Sequence, residues 1–312
     1  MSTAAAVPVT HDLEGDDALE CLRSTGLRDL LRDAFIRFRY ADGFSHSRAL
    51  AFQLVLTLLP ALIATVGLAR VLGQGAFSDV LQDTLHELAP GPASDLLTQA
   101  FQQGSTAATR ESGENALALG LLVAIVSAAT AMGQIERGSN RIYGVERDRP
   151  PLRKYGMATL LAATAGLATV VSFLLLVPGG ALGEALKDVT GWSGALDAAW
   201  SVGRWPLGAL LVAFAVALLF KASPRRPQPS PSWLALGSVI TVVLWFSFTG
   251  LLALYVSASS GFGETYGPLA GLIGLMLWAF LSALALFGGL TVAAQLEAVR
   301  AGQPEPRAEL RP

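Results

Sequence analysis

The sequence is poor in the side chains from which most active sites are built. One cysteine, Cys21, excludes an internal disulfide, and the three histidines, His11, His46 and His86, stand far apart. No Cys/His cluster has metal-ligand spacing, so neither a metal nor a cofactor is expected, and a Ser/His or Cys/His catalytic pair has almost nothing to draw on. Charge is scarce as well: 15% of the 312 residues are charged, against 52% hydrophobic. The polar, acidic stretch from Met1 to Glu20 lacks the basic start and apolar run of a signal peptide.

What fills the chain is a series of long uncharged blocks. A bilayer crossing takes ~20 mostly apolar residues at a rise of ~1.5 Å each. Six blocks qualify, at about 47–70, 115–134, 155–180, 200–220, 232–256 and 266–294. The expected fold is therefore all-α: a polytopic membrane protein with one membrane domain over 23–298, a disordered tail over 1–22 and a second tail over 299–312.

The last block organises the rest. Tyr266, Gly267 and Pro268 open it, since proline is tolerated in a first helical turn. Gly267, Gly271 and Gly274 fall on roughly one face, and Gly288 and Gly289 thin the far end, so another backbone can approach closely. The first block runs between Arg48 and Arg70 with Ser45 as an N-cap. Pro60 is expected to kink it, and Gln53 and Thr57 to bond across to a neighbouring helix. Pro178, Gly179 and Gly180 break the third block late. Trp192, Trp200 and Trp205 suit an interfacial belt, with Gly191–Arg204 read as a short external stretch. Between the first two blocks, Gly73–Gln103 reads as two short amphipathic helices on the outer surface, separated by Pro90-Gly91-Pro92.

Gly26 to Arg39 places Leu27, Leu30, Leu31, Ala34, Phe35 and Phe38 at helical spacing among arginines and aspartates. Two readings fit: a helix lying in the membrane surface, and a helix packed on the ends of its neighbours.

The basic residues set the orientation. Alternate loops and the two terminal regions carry 18 of the 22 lysines and arginines, leaving only Arg70, Arg110, Lys187 and Arg204 for the opposite side. By the positive-inside rule both termini are cytoplasmic and the number of spans is even.

Three stretches carry a family resemblance: LAFQLVLTLLPALIA (Leu50 to Ala64), SNRIYGVERDRP (Ser139 to Pro150), and the YV…YGPLAGLIGLMLWAFLSALALFGG pattern from Tyr255 to Gly289. Together they resemble the YihY/BrkB family of bacterial inner-membrane proteins over roughly Asp42 to Ala298. The resemblance implies six helices in the inner membrane and an envelope role, and it brings an old label, ribonuclease BN. The chain departs from the family at Pro268, compatible with a helix start where the family usually has a small residue, and at Thr291 and Gln295, which stand where the family commonly places carboxylates. An intramembrane proton carrier at that place is thereby put in doubt.

A nuclease needs carboxylates or histidines converging on a metal or a phosphodiester. Here the acids lie in tails and loops, so no enzymatic activity and no nucleic-acid partner are expected. Membrane lipids are the expected partners. Arg137, Arg141, Arg147 and Arg149 are the expected contacts to an anionic headgroup, with Asn140 and Tyr143 positioning them. The alternative is a membrane scaffold docking another envelope protein or a second copy of itself.

Overall fold

The computed structural model describes residues 4–10, 13, 15–71, 113–176, 180, 183, 191–258 and 270–308. Within them the chain is helical: α1 (Gly15–Thr25), α2 (Leu27–Tyr40), α3 (Gly43–Val71), α4 (Gly113–Ile142), α5 (Pro151–Leu161), α6 (Leu167–Leu176), α7 (Gly194–Ala222), α8 (Pro231–Ala258) and α9 (Ala270–Arg300). A π-helical turn, Ala162–Gly166, joins α5 to α6. Among the described residues there is no strand, only an isolated antiparallel bridge between Ala4 and Arg307.

Each expected span has helix over nearly all of its described residues. Four helical stretches among the described residues are long and apolar enough to cross a membrane: Pro151–Ser172, Gly194–Ala222, Pro231–Ala258 and Gly271–Arg300. The other two expected spans fall in α3 and α4, which have 29 and 30 residues. The helices form a closed circuit of neighbours, with α4 on α3, α3 on α9, α9 on α8, α8 on α7, α7 on α6, and α5 back against α4.

Burial is concentrated at one end of this circuit. In α9 almost every side chain from Phe287 to Ala298 is buried, whereas Leu272, Met276 and Leu277 are exposed. In α8 the buried residues are Trp233, Leu234, Gly237, Ser238 and Thr241, while Leu251 and Leu254 face outward. Serine and threonine sit among the buried apolar residues, while leucines, valines and phenylalanines cover the outside of the helices, which a water-soluble bundle would not show; lipid tails are the solvent that makes such a surface stable.

Inside, small residues and short polar bridges join the helices. Ser172 Oγ donates to the Gly208 carbonyl at 2.7 Å, joining α6 to α7. Trp245 Nε1 donates to Ser282 Oγ at 3.0 Å, joining α8 to α9. Thr130 of α4 donates to Gln53 Oε1 at 3.2 Å, the cross-helix bond expected of Gln53, while Thr57 bonds back to the Gln53 carbonyl. The tightest approach is at Gly289, where a Cβ would run into Thr241 Oγ1 and the Gly237 carbonyl; at Gly237 it would meet Ala293 Cβ at 2.8 Å. A Cβ at Gly288 would meet Leu244 at 3.3 Å, but at Gly274 it would meet nothing within 4 Å.

Several details differ from the sequence-based expectation. Residues 4–10 and α1 stand where a disordered tail is expected: Ala4, Val7, Ala18 and Cys21 are buried, Cys21 beneath the end of α9. Three or four apolar residues per helix suffice when they share one face, and the acidic composition around them hides that pattern. The C-terminal tail is likewise held, by bonds from Gln303 N to the Ala298 carbonyl and from Gln295 to the Pro304 carbonyl. Helix α7 begins at Gly194 and runs through Pro206, so most of the expected external stretch is helix. Helix α3 begins before Ser45 and continues past Pro60. The expected outer helices over Gly73–Gln103, and Pro178, Gly179, Tyr266, Gly267 and Pro268, lie outside the described residues. Gly180 is described, and a Cβ there would meet the Arg204 guanidinium at 3.1 Å.

Candidate functional site

Among the described residues, arginines of the α4–α5 turn, the α7–α8 loop and the end of α9 gather at the heavily buried end of the bundle. Arg226 of the α7–α8 loop reaches the carbonyls of Val7 and Pro8. Arg225 donates to the Asp148 carbonyl at 2.8 Å. Arg300 at the end of α9 pairs with Asp17 of α1 at 3.4 Å.

The α4–α5 turn forms the first of two polar nodes there. Arg149 pairs with Glu136 at 3.1 Å and donates to the carbonyls of Ala222, Ser223 and Pro224 at 2.7–3.1 Å. The Ala222 carbonyl is one that a helix C-terminus leaves without an intrahelical partner, and Ser223 and Pro224 follow it directly, so the guanidinium closes the end of α7. Glu136 also accepts from the Arg149 amide, and it is nearly fully buried. Asp148 gathers Asn140 at 3.0 Å, Lys154 at 2.9 Å and Arg137 at 3.3 Å. Burial alone would push its carboxyl up, but the hydrogen bonds from Asn140 and Lys154 outweigh this and hold it at about 2. Asn140 Oδ1 accepts from the Arg225 amide at 2.7 Å, so both ends of its amide are used.

The second node is buried deeper. Arg37 of α2 donates through Nε to Gln295 Oε1 at 2.7 Å, and through Nη1 to the carbonyls of Ala5 at 2.7 Å and Ile142 at 3.3 Å. The Arg226 guanidinium lies over the Tyr143 ring, 4.5 Å from its centroid, and pairs with Glu297 at 2.6 Å. Thr10 donates to the same Glu297 oxygen. Arg37 and Glu297 are 0% exposed and Tyr143 1%. Burial lowers the Arg37 guanidinium to about 10 and pushes the Tyr143 phenol well above its usual range.

Around these nodes lies an amphipathic rim. Helix α2 buries Leu30, Ala34, Arg37 and Phe38 against the bundle, and exposes Leu27, Leu31 and Phe35 beside the exposed Arg28, Arg32 and Arg39. The helix packs on its neighbours and yet keeps a second apolar stripe outside, so features of both sequence readings are present. At the start of α5, Leu152 is 91% exposed and Tyr155 is exposed, next to the exposed Arg147 and Arg153.

The expected headgroup contacts thus divide. Arg137 and Arg147 are exposed; Arg141 is half-buried and donates to the Glu146 carbonyl at 2.8 Å. Arg149 turns inward as a staple, and Asn140 and Tyr143 are buried, Tyr143 in a different node from Asn140. Glu136 is paired with a local arginine, as its position at the end of the second span suggests. Sequence reasoning missed Arg37, Arg226 and Glu297, and singled out Gln295 only as a departure from the family pattern. Arg37 carried a signal: it sits at helical spacing with Leu30 and Ala34, a charge on an apolar face. Among the described residues no group of three or more His, Cys, Asp or Glu is placed to hold a metal ion.

Apolar helices with an outward-facing hydrophobic surface define a multi-pass membrane protein. The chain belongs to the BrkB family, described as virulence factor BrkB, which matches residues 34–311. It is similar to the ribonuclease-like protein YfkH of Bacillus subtilis, at 29% identity over 259 residues, covering 83% of this chain and 92% of that protein. A UPF0761 membrane protein of Alkalilimnicola ehrlichii is 27% identical over 261 residues, covering 79% of this chain and 53% of the relative. One from Teredinibacter turnerae is 26% identical over 275 residues, covering 86% and 61%. The chain therefore spans little more than half the length of these two relatives. No solved structure matches.

Proposed function

We propose that the protein crosses the bacterial cytoplasmic membrane six times with both termini in the cytoplasm, and binds an anionic lipid or another amphipathic anion of the envelope, which it moves or organises. The observation that carries this reading is the exposed pairing of Arg147 and Arg153 with Leu152 and Tyr155 at the basic end of the bundle. An arginine beside an exposed leucine suits a headgroup above an acyl chain, because each half of the lipid meets its own chemistry. Arg137, half-exposed above Asp148, extends the same surface. The proposal contains no catalytic step and no nucleic acid; "ribonuclease-like" in the name of YfkH describes that protein.

A scaffold that docks an envelope protein or a second copy of this chain is the other reading, favoured by the close packing of α8 on α9 at Gly237 and Gly289. Native mass spectrometry of protein extracted with little delipidation separates the two. Selective retention of one anionic lipid, lost when Arg137, Arg147 and Arg153 are changed to Gln, supports lipid handling. Retention of bulk lipid alone, unaffected by those changes, sinks it in favour of the scaffold.

A further inference from the structure

The second polar node is built in an unusual way. Four separate segments deliver its side chains to one dry place: α2 supplies Arg37, the end of α4 Tyr143, the α7–α8 loop Arg226, and the end of α9 Gln295 and Glu297. Among the described residues in direct contact there, two guanidiniums meet one carboxylate, because the acceptor facing Arg37 is the neutral amide of Gln295. Arg37 Nη2 and the Tyr143 hydroxyl, both buried, have no hydrogen-bond partner among the described residues, and neither has Glu297 Oε2. Burying a cation against a neutral partner is costly, and so is leaving a donor unmatched.

The lid on this node is the extended segment 4–10. Its carbonyls take the arginine donors: Ala5 O accepts from Arg37, while Val7 O and Pro8 O accept from Arg226 at 3.2 and 3.1 Å. Its backbone lies directly on the α4–α5 turn. Val7 N donates to the Tyr143 carbonyl, and Gly144, at φ +71, leaves room where a Cβ would come within 2.6 Å of Ala6 Cα. The segment is fixed by few side chains: Ala4 and Val7 are its buried apolar residues, and Thr10 its bond to Glu297.

We propose that the Arg37–Tyr143–Arg226 node is a binding site for a phosphate-type oxyanion, and that segment 4–10 occupies it with backbone carbonyl oxygens until the segment is displaced. A phosphate group offers several acceptor oxygens with the negative charge that the carbonyls lack, and guanidinium forks are the donors best shaped to receive it. The oxyanion comes either from dissolved phosphate or from a lipid headgroup. This site uses none of the surface arginines Arg137, Arg147 and Arg153, so it stands or falls separately from the reading above.

The test compares the full chain with one lacking residues 2–10, both in nanodiscs. Inorganic phosphate is titrated with phosphatidylcholine discs, and lipid retention is measured in discs containing phosphatidylglycerol. A covering segment lowers the apparent affinity by the fraction of time the site is open. Its removal is expected to tighten binding by at least about tenfold on that account, and Arg37→Gln in the shortened chain to abolish the gain. A response to dissolved phosphate assigns the free ion; retention of phosphatidylglycerol without that response assigns the headgroup. Binding that is no tighter in the shortened chain, or unchanged by Arg37→Gln, overturns the site. Because the shortened chain can fail to fold, the intact chain supplies a second measurement. Ala4→Cys with Arg307→Cys, on a Cys21→Ser background, places a disulfide across the bridge that ties the segment down. Weaker binding when oxidised than when reduced supports the displacement, and equal binding refutes it.

Discussion

Arg149 stands between Glu136 and the last carbonyls of α7, tying α4, the α4–α5 turn and α7 together through one guanidinium. Removing one partner of a buried ion pair leaves the other uncompensated, at a cost of about 3–5 kcal/mol. Arg149→Gln is therefore expected to lower thermal stability in detergent strongly, and Glu136→Gln also. The double substitution should lose less than the two single losses combined. Strict additivity in that double-mutant cycle would show that the pair does not couple.

Glycines that look alike in sequence are expected to respond oppositely. Gly289→Ala places a methyl against Thr241 and the Gly237 carbonyl, where backbone cannot yield, so folded protein should fall sharply. Gly274→Ala meets open space and should be neutral or stabilising by up to about 1 kcal/mol from helix propensity alone. Size-exclusion recovery and unfolding temperature read both.

Acid should release the α4–α5 turn late. Asp148 is held at about 2, below its ordinary 3.8. A lowered carboxylate contributes stability that is fully present above the unfolded value and lost as pH falls through the folded one. The contribution should thus be constant above about pH 5 and disappear between about pH 4 and pH 2. Subtracting the pH profile of Asp148→Asn from that of the natural chain isolates it; a difference that sets in near neutral pH would contradict the assignment.

Adjacent leucines on α2 separate packing from membrane contact. Leu30 is 1% exposed and Leu31 is 45% exposed. Leu30→Asp should destabilise the protein in any surroundings, by the several kcal/mol that burying an unpaired charge costs. Leu31→Asp should be nearly silent in detergent and weaken only the contact of α2 with lipid. A fluorophore at Phe35 quenched by brominated lipid would report that contact; no quenching in the natural chain would refute it.

The helices were legible because composition alone separates uncharged blocks from basic loops, and a crossing length is a physical constant of the bilayer. Orientation by charge anticipated that the basic segments would share one end. The details of that end were not legible. Nothing local in VERDRP says that Arg149 turns inward to close a distant helix while Arg147 stays outside. The N-terminal segment looks like a tail in the sequence because its partners, Tyr143, Arg226 and Glu297, lie far along the chain, and single-sequence patterns carry no long-range pairing. Pro206 is tolerated inside α7 because neighbouring groups in a membrane bundle can compensate its missing donor, and they too are distant in sequence.

The bond from Thr10 to Glu297 spans 287 positions. The ribosome makes residues 4–10 long before α9, yet their resting place on Glu297 does not exist until α9 has been made and inserted. A segment synthesised before the helices is thus seated after them, and its docking on Glu297 follows the making of α9.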